Sequence, residues 1–409
     1  MKLSRSVVVI LLIVSSIGSG CTTVKSVSFE NYVDTTAKPI KLQAKKTFKL
    51  NNGDIYLSNA FNGARLNDVK QINDTLAEIY IQPENSPINN SPYYAFKAWS
   101  DLPTSFYLRF KYPKGYNHRY VPKLKINDKW KIADSTQLFT SKDAMTVKLS
   151  LTTEPILVSA QEIQSSVDVK NWYSALLKGK DFVHLNSYGT SVLGKNLPVL
   201  DIHKNGKDNK DLIILLTRQH PPEVTGYFAF QAFLETILKD SELSNTFLNT
   251  YRILAFPIMN PDGVDLGHWR HNANGVDLNR DWSRYNQPEI KQAVKYISKA
   301  IKKSKTRVIL GLDFHSTWYD VFYTNESRAK TTMPQFIDNW FIALEHNIPD
   351  YTVNETSSDS DKPVSKGWFL YGHDAVGITY EIGDTTSKTE INRIGKVSAT
   401  EMMKILLKK

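Results

Sequence analysis

Two textures, divided near residue 160, predict an α/β domain with a mixed sheet flanked by helices, preceded by an all-β sandwich domain. Before that point, short runs alternate apolar and polar residues, the period-2 signature of half-buried strands. After it, short apolar runs alternate with longer helical patterns, as in a sheet covered on both faces. Size agrees: 409 residues with 41% apolar content, 8 Trp, 20 Tyr and 18 Phe are enough for two domains and a sizeable core.

The chain begins "MKLSRSVVVILLIVSSIGSGC": a basic start, an apolar run from Val7 to Val14, then small residues. The run is too short to span a bilayer and fits a secretory signal peptide over 1–20. Cys21 is the single cysteine, so no internal disulfide forms. Placed after "GSG", it resembles the lipid-modified cysteine of a bacterial lipoprotein, with Gly18 where leucine is usual. This implies a chain held on a membrane through a lipid on Cys21, in the bacterial cell envelope, facing the periplasm or the surface. Residues 21–45 are polar and rich in Lys, Thr and Ser, and are predicted to be the lipid-anchored tether. Without Lys2 and Arg5 the net charge falls from +10 to +8 (49 minus 41), and the lysines are scattered. No dense basic block marks nucleic acid as a partner.

Residues 46–158 form the predicted sandwich. The runs "GDIYLS" (53–58), "LAEIYIQP" (76–83), "YYAFKAWS" (93–100), "TSFYLRFKYP" (104–113), "HRYVPKLKI" (118–126) and "AMTVKLSLT" (144–152) alternate. Breakers such as "ENSPINNSP" (84–92) separate them. No catalytic cluster is visible here, and the expected role is structural support.

Residues 159–409 form the predicted α/β domain. Buried strands are expected at 197–203, 212–216, 252–259, 307–314 and 377–382, and helices at about 222–240, 287–304, 332–346 and 388–408. In such sheets active sites gather at the carboxyl ends of strands. His220, in "TRQHPPE", follows the apolar run 212–216, and His315, in "GLDFHST", follows 307–314. Either histidine alone is an ordinary polar residue, and Glu223 alone suits a first helical turn. Together, two strand-end histidines and a glutamate three residues after one of them can converge on one cation, the three-ligand set of a catalytic zinc site. A turn from strand into helix brings positions i and i+3 to one side. Arg270 and Arg280, in the loop region after 252–259, supply cations for a developing oxyanion.

The motifs "RQHPPE", "NPDGV…G..R…GVDLNRDW", "DFHS" and "GITYEIGD", in this order, resemble those of the zinc metallocarboxypeptidase family, in a form similar to the cytosolic-carboxypeptidase branch, which also carries an N-terminal β-sandwich. The resemblance covers roughly 165–409. It implies hydrolysis of the C-terminal residue of a peptide or protein, with one Zn2+. It matches His220, Glu223 and His315 with the zinc ligands, and Asp277 with the carboxylate that orients the first histidine. Arg270 matches the arginine that polarises the scissile carbonyl, Asn279 and Arg280 the clamp on the terminal carboxylate, and Glu381 the general base, thirteen residues after Trp368. Lys366 stands where the family's specificity pocket has its floor, which implies a preference for acidic C-terminal residues. The alternative for Lys366 is a side chain that reaches out to solvent. The chain departs from the family at Asp359, where a mobile tyrosine is usual; Tyr351 and Tyr371 are out of register. Two other functions share part of the pattern. A zinc deacylase of the aspartoacylase type has the same ligand spacing but not the "NPDG…GVDLNR" block. A non-catalytic envelope binding protein needs neither ligands nor base.

Overall fold

The computed structural model describes residues 25–141 and 144–408. The leader and Cys21 lie outside them. The strand-rich region contains β1 (Thr47–Leu50), β2 (Ile55–Ser58), β3 (Asp68–Asn73), β4 (Leu76–Tyr80), β5 (Ala95–Ser100), β6 (Thr104–Lys111), β7 (Lys123–Ile126), β8 (Lys129–Ile132), β9 (Leu138–Ser141), β10 (Ala144–Leu151) and β11 (Ile156–Ser159). They form a six-stranded sheet, β1-β2-β5-β11-β7-β8, and a five-stranded sheet, β3-β4-β6-β10-β9. Leu57, Ala98 and Val158 of the first sheet meet Ile79, Leu108 and Val147 of the second in one core. The alternation that predicted the strands is what builds this core: along β6, Phe106, Leu108 and Phe110 point inward. Strands β1, β3, β8, β9 and β11 fall outside the expected runs: β3 has no buried residue, and the others are four residues long, although β1 does alternate.

The second region carries an eight-stranded mixed sheet in the order β12-β13-β15-β14-β16-β19-β17-β18. Its strands are β12 (Val183–Thr190), β13 (Asn196–Ile202), β14 (Leu212–Thr217), β15 (Arg252–Phe256), β16 (Val308–Thr317), β17 (Val321–Thr324), β18 (Glu355–Ser357) and β19 (Val376–Gly383), and its helices include α1 (Ser166–Leu176), α3 (Glu242–Thr250), α4 (Pro261–Leu266) and α6 (Phe336–Asn347). The four central strands β15, β14, β16 and β19 run parallel. Every residue of β14, "LIILLT", is buried because both faces are covered. Ile213 and Leu215 face one core, with Phe230 and Phe233 of α2 (Val224–Ile237) and Ile394 of α8 (Lys388–Leu407). Leu212, Ile214 and Leu216 face the other, with Ile290 and Ile297 of α5 (Pro288–Ser304) and Phe369 of α7 (Ser365–His373). Helix α5 shows why its sequence is helical. Pro288 opens it, Ile290, Ala293, Val294 and Ile297 make a helical stripe, and two lysines close it.

The expected tether does not hold for its described part. Residues 25–46 form no helix or strand, yet as far as Lys38 they lie along the α/β region as a strap, and Lys41, Gln43, Lys45 and Lys46 bond to the strand-rich region. The strap's backbone amides at Asn31 and Lys38 donate to the carbonyls of Asp361 and Asn274 at 2.8 Å each. Its polarity serves hydrogen bonding to loops rather than solvation, and composition alone does not distinguish the two. Among the described residues no helix is long and apolar enough to cross a membrane.

Candidate metal centre and active site

The centre forms where β14, β16 and β19 end side by side. After Thr217 the chain turns through Arg218, which is left-handed at φ 58°. Helix α2 starts only at Val224, so Glu223 occupies its cap position, and its carboxylate makes no capping bond. That carboxylate turns to the histidines instead. His220 Nδ1 lies 2.8 Å from Glu223 Oε1. His315 Nδ1 lies 2.6 Å from Glu223 Oε2 and 3.2 Å from His220 Nδ1. The three residues are buried, and their donor atoms lie within 4.8 Å of one another. His315 sits inside β16 rather than past its end, because the strand continues to Thr317.

The outer nitrogen of each ring meets a carboxylate: His220 Nε2 at 2.9 Å from Asp277 Oδ1, and His315 Nε2 at 2.8 Å from Asp313 Oδ2. These contacts fix the rings with Nδ1 facing inward, the usual support behind a metal-binding histidine. Asp277 meets the first histidine of the cluster. Asp313 is a residue that sequence reasoning missed, although its position two residues before His315 on one strand places both on the same face. Gln219 and Ser365 also donate to Asp313.

The electrostatics favour a cation. Burial raises the Glu223 carboxyl, but the two imidazoles outweigh it and hold the group well below the usual range. Burial lowers His315, but Asp313 and Glu223 outweigh it and raise the imidazole well above its ordinary value. The carboxylates therefore draw a proton to the place where a cation would bind. A donor set of two imidazole nitrogens and one carboxylate suits zinc with one open position.

Glu381 pairs with His315 in register on the neighbouring strand β19. Its Oε2 is buried and has no hydrogen-bond partner among the described residues. Burial, and then the Glu223 carboxylate, push its carboxyl up to about 8. Arg270 donates from Nε to Asp277 Oδ2 at 2.7 Å and has Nη1 3.9 Å from Glu223 Oε1. Asn279 accepts the Ser365 amide on Oδ1 at 2.9 Å, with Nδ2 3.4 Å from His315 Nε2. Arg280 donates from Nη1 to the Asn279 carbonyl at 2.7 Å and is 28% exposed in its side chain. The structure thus gathers Arg270, Asp277, Asn279, Arg280 and Glu381 around the His220–Glu223–His315 cluster.

Lys366 is the second residue of α7 and is 6% exposed, so it does not reach out to solvent. Its Nζ donates to the carbonyls of Thr324, at 2.8 Å, and Ser358. Burial pushes this ammonium down to about 8. Asp359 is exposed, and its carboxylate accepts the Ser327 amide at 3.0 Å.

A buried His-Glu-His cluster at the carboxyl ends of the parallel central strands, beside an unpartnered glutamate, is an arrangement able to hold one metal ion. The zinc carboxypeptidase model, Peptidase_M14, matches residues 169–396, more than half of the chain, and the chain belongs to that family. The family's metal is zinc. Among curated relatives, the chain is 28% identical over 134 residues to mouse cytosolic carboxypeptidase 3, covering 31% of this chain and 13% of the relative. It is 27% identical over 201 residues to mouse cytosolic carboxypeptidase 6, covering 45% of this chain and 36% of the relative. The chain therefore spans well under half of the length of these relatives. Among solved structures, a metallo-carboxypeptidase from Burkholderia cenocepacia superposes with a TM-score of 0.72 at 14% identity, over 87% of this chain and 99% of that one. A metallo-carboxypeptidase from Pseudomonas aeruginosa superposes with a TM-score of 0.69 at 17% identity, over 86% and 98%. These likenesses concern the fold, and they extend over the strand-rich region as well.

Proposed function

We propose that the chain is a zinc metallocarboxypeptidase that removes the C-terminal residue of a peptide or protein, with a preference for acidic C-terminal residues. One observation carries this reading: Glu381, with an unpartnered buried carboxylate oxygen, stands in register beside a His220–Glu223–His315 cluster. His220, Glu223 and His315 hold the ion. Zinc, when bound, acts as a Lewis acid and acidifies water at this centre.

The remaining chemistry belongs to the chain. Glu381 takes the proton of the attacking water and delivers it to the leaving amine. The arginine fork of Arg270 faces the carbonyl oxygen as charge develops there. Asn279 and Arg280 bind the terminal carboxylate, for which a planar guanidinium is suited. Asp277 and Asp313 keep the two imidazoles oriented. Lys366 spends two of its three donors on carbonyls, which leaves one for a substrate side-chain carboxylate.

The test is a comparison of otherwise identical peptides ending in a free acid or an amide, each with Glu, Leu or Lys as the last residue. Only free acids are cleaved, one residue at a time, and Glu ends are cleaved fastest. Equal cleavage of acid and amide overturns the assignment to a carboxypeptidase. Equal rates for Glu and Leu ends overturn only the acidic preference. The apolar leader and Cys21 further support placement on a bacterial envelope membrane. Cys21→Ala should then move the protein from the detergent-soluble to the aqueous fraction, and an unchanged distribution refutes the anchor.

A further inference from the structure

The loop 267–287 carries Arg270, Asp277, Asn279 and Arg280, yet much of what holds it comes from the N-terminal region. Glu84 lies in the "ENSP" segment between β4 and β5, which as sequence reads as a breaker. It is fully buried. Its carboxylate accepts three consecutive backbone amides: Trp269 at 2.8 Å on Oε2, then Arg270 at 3.0 Å and His271 at 2.7 Å on Oε1. A carboxylate in a nest of amides makes charge-assisted bonds, stronger than neutral ones. The Trp269 side chain, next to Arg270, inserts into the sandwich core. Asn85 continues the grip by donating to the Gly275 carbonyl at 2.9 Å.

The other end of the loop is held by the strap. Thr35 is 2% exposed. Its hydroxyl donates to Asp281 Oδ1 at 2.5 Å and accepts from Asn286 Nδ2 at 3.0 Å, while its carbonyl accepts from Gln287 Nε2 at 2.6 Å. Asp281 in turn accepts the amides of Asn286 at 2.9 Å and Gln287 at 2.7 Å, closing the turn that follows Arg280. Phe29, Tyr32 and Val33 of the strap wall a cavity of about 200 Å³ that Arg280 also lines.

We propose that Glu84 and Thr35 are positioning residues for the substrate loop. Glu84 sets the backbone at Arg270, and Thr35 sets the turn behind Asn279 and Arg280. The N-terminal region is then part of the active site's construction rather than a passive support. The inference rests on the carboxypeptidase reading, because it assigns Arg270 to the carbonyl and Arg280 to the terminal carboxylate.

The two pins predict opposite kinetic signatures in the full zinc-loaded chain. Glu84→Gln, which keeps shape but loses charge, should lower kcat by about tenfold or more, the scale of one or two lost charge-assisted bonds, with KM within about threefold. Thr35→Val should raise KM for the free-acid peptide by about tenfold with kcat within about threefold, and should narrow the acid-to-amide ratio. Thr35→Ser, which keeps the hydroxyl, should restore both, and hydrogen exchange at the Asn286 and Gln287 amides should quicken only in Thr35→Val. Should Glu84→Gln not fold, the Thr35 pair decides alone. A lower Tm with an unchanged KM and an unchanged acid-to-amide ratio in Thr35→Val overturns the proposal, as does a matched fall in kcat and zinc content. If wild type itself does not distinguish acid from amide, the carboxypeptidase reading fails and takes this proposal with it. If wild type does and Thr35→Val keeps the ratio, only this proposal fails.

Discussion

Replacing Glu381 by Gln separates what the residue does for catalysis from what it does to the fold. In the zinc-free protein its carboxyl stands at about 8 against an ordinary 4.5, because it is buried and faces Glu223. Each pKa unit corresponds to about 1.36 kcal/mol, so ionising this group costs the fold on the order of a few kcal/mol. The sign is set by linkage. Below about pH 4.5 the group is protonated in both folded and unfolded chains and contributes nothing. Between there and about 8 only the unfolded chain has lost the proton, so stability falls as pH rises, and above 8 the penalty is complete. Glutamine carries no such penalty. Zinc-free Glu381→Gln should therefore resist urea better than zinc-free wild type at pH 9, by about 1–4 kcal/mol after allowing for relaxation, and the two should converge near pH 4. With zinc bound, the same variant should keep its metal and lose about 10²–10⁴-fold in kcat, the usual range for a general base. A zinc-loaded variant with wild-type kcat would falsify the assignment of the base. Equal urea midpoints at pH 9 refute the electrostatic account.

Three further outcomes follow from the geometry. His315→Ala should abolish stoichiometric zinc binding, and Asp313→Asn should weaken it by about 10–100-fold, the usual effect of losing a partner behind a ligand; metal analysis after dialysis reads both. Gly226→Ala should lose at least about 1–3 kcal/mol in urea unfolding and bind zinc more weakly, because a Cβ there would lie 2.0 Å from the His315 carbonyl oxygen; an unchanged unfolding midpoint rules this out. Since burial pushes Lys366 down to about 8, the ratio of kcat/KM for Glu over Leu ends should be high at pH 6.5 and fall as pH rises through 8. In Lys366→Leu that ratio should be low and flat with pH, and a wild-type ratio unaffected by pH counts against charge recognition.

Much of the fold and the metal cluster was legible because the signals were local and periodic. The apolar runs of β14, β16 and β19 mark the sheet, and the polar residues that follow the first two runs include His220, Glu223 and His315. What was not legible depends on contacts across long sequence separations. Glu84 reads as part of a polar turn until Trp269–His271 supply three amides, and Thr35 reads as tether until Asp281 and Gln287 close over it. Helix α7 was hidden because its run "SKGWFLYGH" contains two glycines and is only nine residues long. Asp313 was within reach, since period 2 alone puts it on the face of His315.

The same carboxylates account for both the cost and the capacity of the site. Glu223, Asp277, Asp313 and Glu381 converge in a buried region where Arg270 is the one buried guanidinium bonded to the cluster among the described residues. Without a dication this arrangement is over-supplied with negative charge, and the fold answers by holding protons on His315 and Glu381. A Zn2+ held by His220, Glu223 and His315 would displace the proton from His315 and offset the excess negative charge, so metal binding would contribute folding stability as well as chemistry. The positive charge of the ion would also favour the ionised form of Glu381, toward the range where a base is ionised yet still basic at neutral pH. A variant that removes the excess charge gains stability only while the metal is absent, and it loses the group that moves the proton. Stability of the empty fold and competence of the filled site are therefore opposed at the same oxygen atoms, and the parallel central strands of the sheet, buried on both faces, are what hold them together.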